Sequence, residues 1–454
     1  MALFGFQLVA TFIAVTALQK LNAYFSLAQW LIARGNLTWY KLQSEQDIRS
    51  QIKPENGKNY RKGRKGEAKK ESLTVPRGLD VQLIPRPVLE VHVIPLRYYT
   101  ELQWMVDFTF VAAFIYSVTA GYYAYYDPLT EFNLSLIWVL VVQVFALKYL
   151  FSLLKLYFAT EEKGELWMCL ASGLCFLLIA MAMMLIGDDK LDFRLDEALQ
   201  KVSEEYEFLL EKYLSVKRGP ISKGLIKLSL AFICGIIGAI LTFPGLRIAR
   251  THLDSLRYSA DRTFLLVLLH SNFILPVFII LLWIKPLGRD YILSNYVGQL
   301  MNGQEKQIMS DAAFERGRLG LVWCFCLMRL MFLPTHLQSY LNMAQERLDQ
   351  LRKEAGKITY QQMLLIVMSV FRYLCVVALQ YLAPVIVIFS LSLLLNSSYG
   401  ALQFQELKEA ASTSLADGHS LYLLSYSMIS FMLWWVCFAW LSTSLLGVAY
   451  HSIL

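Results

Sequence analysis

Residues 363–395 read MLLIVMSVFRYLCVVALQYLAPVIVIFSLSLLL, and from Tyr373 to Leu395 they contain no Asp, Glu, Lys or Arg. At about 1.5 Å of rise per residue, a helix over 373–395 is long enough to cross a hydrocarbon core of about 30 Å. Arg372 stands just before that stretch and marks where the chain enters it. Eight further apolar blocks flank this one, near 2–18, 102–124, 133–158, 166–187, 224–246, 264–284, 317–334 and 421–449. They make the 454-residue chain 56% hydrophobic and only 17% charged, against about 25% charged in soluble domains. Backbone groups in lipid must be satisfied within each segment, so the sequence predicts an all-α polytopic transmembrane helical bundle with about nine membrane spans. The bilayer is its first partner.

Three units follow from this pattern. Residues 1–42 hold the first span and a juxtamembrane helix, 43–101 form a basic linker, and 102–454 form the main bundle of eight spans. The first block lacks a basic leading region and a small-residue cleavage site, which favours a retained span over a cleaved signal. Within the linker, residues 53–72 carry Lys58, Arg61, Lys62, Arg64, Lys65, Lys69 and Lys70 with almost nothing apolar to bury, so they are expected to be solvated and disordered. The stretch 58–70 also suits attraction to anionic lipid. The net charge of +7 is confined to loops such as this one, which argues against nucleic acid as a partner.

Orientation follows from Lys and Arg. With the amino terminus outside, the inner segments hold 22 and the outer ones 12, so the positive-inside rule places the amino terminus on the outer or lumenal side and the carboxyl terminus in the cytosol. The sequons at Asn133 and Asn396 then fall outside and the one at Asn36 inside; a cleaved first block would instead leave Asn36 as the accessible site. Two amphipathic helices are expected beside the spans. Residues 188–216 place Leu191, Leu195, Leu199, Val202, Tyr206, Leu209 and Tyr213 on a helical period. Residues 335–357 give Leu337, Leu341, Ala344, Leu348 and Leu351 as one seam, for packing on the chain itself or for a partner helix.

Ionisable residues deep in a membrane are costly and point to function. Asp107, Lys148, His270 and Arg329, from four spans, fall at a similar depth in the inner half. Asp107 is the one acid among them, so an ion pair with Arg329 or Lys148 is the expected cluster; snorkelling to the headgroups and a hydrated ion or proton path are the alternatives. Pro244, Pro276 and Pro384 interrupt spans five, six and eight and free backbone carbonyls that can kink a helix or line a cavity. Gly235 and Ala239 offer a small-xxx-small face for close helix contact. The seven cysteines, among them Cys324 and Cys326, lie within apolar blocks and read as packing thiols. No catalytic, cofactor or metal motif is legible, so the chain is expected not to be an enzyme.

Seven collinear stretches resemble the transmembrane protein 161 family: SLAQWLIARGNLTWY at 26–40, QWMVDF at 103–108, FALKYLFSL at 145–153, LTFPGLRIARTHLDSL at 241–256, LLWIKPLGRDYI at 281–292, MRLMFLPTHLQSYLNMAQ at 328–345 and YLCVVALQYLAPV at 373–385. The resemblance implies a multi-pass membrane protein tied in some members to excitability through calcium and potassium handling, and in another to stress responses. It brings no catalytic residues. The expected function is therefore regulation of channels or pumps in the same membrane, with transport by the chain itself as the alternative.

Overall fold

The computed structural model describes residues 6–22, 24, 26–33, 36–52, 74–75, 81–125, 133–158, 164–187, 189–214, 222–293, 309–353, 358–411 and 419–453. In order they form α1 (Phe6–Asn22), α2 (Leu27–Ala33), β1 (Thr38–Leu42), α3 (Glu45–Ile52), β2 (Thr74–Val75), β3 (Leu83–Pro87), α4 (Glu90–Val93), α5 (Tyr99–Tyr125), α6 (Ser135–Phe158), α7 (Gly164–Ile186), α8 (Leu195–Leu214), α9 (Lys223–Tyr258), α10 (Thr263–Leu281), α11 (Arg289–Leu293), α12 (Asp311–Lys353), β4 (Ile358–Thr359), α13 (Tyr360–Arg372), α14 (Leu374–Ala411) and α15 (His419–Ile453). Eight helical segments are long and apolar enough to cross a membrane. That count, made among the described residues, is close to the expected nine; the 17-residue α1 is shorter than these eight.

The segment 360–403 forms the axis of the bundle, with 94% of its most apolar window enclosed by protein. Helices α6, α12 and α15 pack directly on α14, while α9 joins α7 to α15 on the far side. The axis begins with an interfacial turn. Thr359 and Gln362 form a reciprocal capping box that starts α13, whose Met363, Val367, Val370 and Phe371 face inward. Arg372 and Tyr373 are exposed at the break between α13 and α14, as expected of a charge at the edge of a span.

Small residues let α7 and α9 approach closely. A Cβ added at Gly235 would meet the Cβ of Leu177 at 3.1 Å and the carbonyl of Gly173 at 3.2 Å, and one at Gly238 would land on the Phe176 ring. The face anticipated from Gly235 and Ala239 is thus the α7 contact, since Ala239 in turn lies against Gly173.

At one end, the described parts of the region expected to be a basic, partly disordered linker carry strands and helices. Strand β1 pairs antiparallel with β3, and β2 pairs with β4. Leu42, Ile48, Val75 and Val81 bury against Leu348 and Met363 in a separate small core. The physical reason is the seam of α12: Leu337, Leu341, Ala344 and Leu348 are buried by the chain's own elements, so that surface is filled rather than left for a partner. Residues 53–72, with the basic stretch 58–70, lie outside the described residues. The opposite end is closed by α8, whose Leu195, Ala198 and Leu199 are buried and which packs on α15.

Candidate functional site

No ion pair joins the four residues expected to cluster. Asp107 of α5 accepts hydrogen bonds from Ser26 Oγ at 2.8 Å and from the Ala28 backbone N–H at 3.2 Å, and pairs with neither Arg329 nor Lys148. Ala28 N lies in the first turn of α2, where backbone donors lack helical partners, and Ser26 Oγ also accepts from Gln29 N at 3.4 Å. A carboxylate near that positive helix end is satisfied without a cation. Asp107 is therefore a clasp that fixes α2 against α5. Lys148 is exposed on α6 with its ammonium 5.4 Å from the Phe145 ring, and the exposed His270 lies 5.8 Å, ring to ring, from His252.

Arg329 is only 3% exposed, and its neighbours are aromatic. Its guanidinium carbon lies 4.8 Å from the Trp440 ring centre, 5.2 Å from Phe325 and 5.9 Å from Tyr381. Tyr381 donates to the Arg329 carbonyl at 2.9 Å. Ring faces supply negative potential that a low-dielectric interior does not screen, so an arginine can be held here without a carboxylate. A polar belt continues from this cage. His336 lies 5.0 Å from Tyr381, with Nδ1 2.9 Å from the Phe332 carbonyl, and His252 stacks on Phe273 at 4.5 Å. Tyr157 accepts from Gln380 Nε2 at 2.7 Å and from Arg247 Nη2 at 3.3 Å.

The three expected prolines lie inside continuous helices α9, α10 and α14. Proline removes the hydrogen bond to the carbonyl four residues earlier. For Pro276 and Pro384 those residues are Asn272 and Gln380, two buried amides of this belt. Among the described residues, no group of three or more His, Cys, Asp or Glu side chains could hold a metal ion.

A second charged centre, which the sequence reading passed over, lies near the α8 end. Arg318 is 2% exposed, binds both carboxylate oxygens of Glu315, and reaches Asp192 at 3.1 Å and Tyr426 at 3.3 Å. Trp283 stacks 4.6 Å from its guanidinium. Arg289 bridges Asp192 at 3.0 Å and Asp311 at 3.1 Å. Partial burial pulls the Arg289 guanidinium down, but Asp192, Asp311 and Glu315 outweigh it and hold the group above its ordinary value. The signal available beforehand was the Glu315–Arg318 spacing of three on one helix face. This network ties the turn at 190–194 and the turn at 282–288 to the start of α12.

The three sequon asparagines lie in different settings. Asn396 lies inside α14, and its Nδ2 donates to Tyr116 at 2.8 Å. Asn133 accepts from Ser135 N at 3.1 Å in the turn just before α6. Asn36 is exposed, in a left-handed conformation with φ of 50°.

No solved structure matches the chain. A family model described as predicted transmembrane protein 161AB matches residues 2–421 and 403–454, so this multi-pass membrane chain belongs to the transmembrane protein 161 family.

Proposed function

We propose that the protein is a non-enzymatic regulator of ion channels or pumps in its own membrane, and through them of calcium and potassium handling, excitability or stress responses. The observation that carries this reading is the sequestration of Arg329. A permanent cation near the axis, sealed by Trp440, Phe325 and Tyr381, opposes passage of calcium or potassium along the bundle. Asp107 is consumed as a clasp for α2 and does not offer a coordinating oxygen ladder.

The proposed orientation has the amino terminus outside or lumenal, in the plasma membrane or endoplasmic reticulum, so that 58–70 meets the anionic inner leaflet. Asn36 then faces the cytosol unglycosylated. Transport by the chain itself is the second reading, favoured by the carbonyls of Asn272 and Gln380 that Pro276 and Pro384 free beside the buried belt.

Purified protein in liposomes separates the two. The regulator reading expects no calcium or potassium flux from the protein alone, and altered current when a captured channel or pump is reconstituted with it. Saturable flux from the protein alone would give the function to the transporter.

A further inference from the structure

A cavity of about 750 Å³ opens sideways between α5 and α12, with α14 as its floor and α2 at one end. On α12 its lining runs from Trp323 to Pro334, about 16 Å at 1.5 Å per residue, which matches the hydrocarbon half belonging to one leaflet of a core of about 30 Å. Its rim residues Phe110, Leu327 and Met331 are 51%, 62% and 74% exposed, so the groove continues the lipid-facing surface of the bundle.

The lining chemistry is hydrocarbon. Three of its polar groups are already engaged: Thr109 donates to the Met105 carbonyl at 2.7 Å, Trp323 to Ser392 at 3.0 Å, and Cys326 to the Val385 carbonyl at 3.9 Å. A polar ligand would find no partner among them. The groove's rim opens onto the bilayer, whose acyl chains are the apolar occupant present at highest concentration. A single flexible chain fits, and the volume lies within the range of about 300–1,000 Å³ typical of small-ligand sites.

We propose that this groove binds one acyl chain of a membrane phospholipid, lying between α5 and α12 over Leu382, Val385 and Phe389. The clasp of Asp107 on Ser26 and Ala28 sets the position of α2, whose Leu27 and Leu31 close the end of the groove.

The test uses the full chain in phosphatidylcholine vesicles containing a phosphatidylcholine with a photoactivatable diazirine in mid-chain. Labelled peptides are read by mass spectrometry. The expected result is labelling of 106–113 and 323–334 several-fold above that of the equally lipid-facing Leu174 and Leu178 of α7. Ala113→Trp, which fills the groove, should abolish the excess. Should Ala113→Trp fail to fold, Met331→Trp at the exposed rim should lower the excess at least threefold while leaving thermal unfolding unchanged. Uniform labelling of all lipid-facing helices, an excess unaffected by a folded filling variant, or preferential labelling by a diazirine sterol over the phospholipid would each overturn the proposal.

Discussion

Arg318 and Arg329 sit 11 residues apart on α12, about three turns and so nearly the same face, and both are almost completely buried. One is held by two carboxylates, the other by three aromatic rings. The difference follows from their surroundings. Arg318 lies where the turns at 190–194 and 282–288 meet the bundle and can deliver Asp192, whereas Arg329 lies among spans that carry rings and amides. A buried charge whose partner is another charge leaves an orphan when removed; one whose partners are rings does not.

That contrast can be broken most sharply at Arg318. Arg318→Met should lower the unfolding free energy by about 3–5 kcal/mol, because Glu315 stays buried without its cation and Asp192 keeps only Arg289. Adding Glu315→Gln should recover most of the loss. Thermal and denaturant unfolding in detergent reads both, and a loss below about 1 kcal/mol would reduce the network to a surface pair.

Asp107→Asn comes next, at about 1.5–3 kcal/mol, the range for hydrogen bonds to a charged group. Its effect should couple to Ser26→Ala and add independently to Arg329→Met in double-mutant cycles. Coupling to Arg329 instead would restore the ion pair that depth alone pointed to.

Gly238→Ala should cost about 1–3 kcal/mol through overpacking against Phe176. Gly320→Ala on α12, where nothing lies within 4 Å of an added Cβ, should be neutral or stabilising. Equal effects would mean that the α7 contact yields more easily than its geometry implies.

The smallest effect belongs to Arg329→Met. Loss of cation–π attraction worth about 2 kcal/mol is offset by relief of the guanidinium's desolvation, for a net change under about 1 kcal/mol. A loss as large as that of Arg318→Met would erase the distinction between the two cages.

The apolar blocks were legible because span length and composition are local properties. The axis at 373–395, the Arg372 boundary, the amphipathic α8 and the seam of α12 all follow from periodicity within one segment. What depended on contacts distant in sequence was not legible. Depth along a helix placed Asp107 near Arg329, but rotation about the helix axis and the return of α2 decide which atoms meet. Ser26 and Ala28 carry no charge to announce themselves. Asn396 shows the same limit: the polar residues at 396–398 resemble a loop, yet α14 runs on through them and Asn396 binds Tyr116, 280 positions away.

The pairing of β2 with β4 joins residues 74–75 to 358–359, and Thr38 binds Gln338 across 300 positions. The order of synthesis therefore matters. Ribosomes add about 5–20 residues per second, so the segments around 38–87 wait tens of seconds for α12 and β4 before their small core can close. During that interval Leu42, Ile48 and Val75 lack their partners Leu348 and Met363 and are exposed to whatever receives nascent chains at the membrane. A truncation before α12 would leave that state permanent, with Leu42, Ile48 and Val75 lacking Leu348 and Met363 although most of the spans had been made.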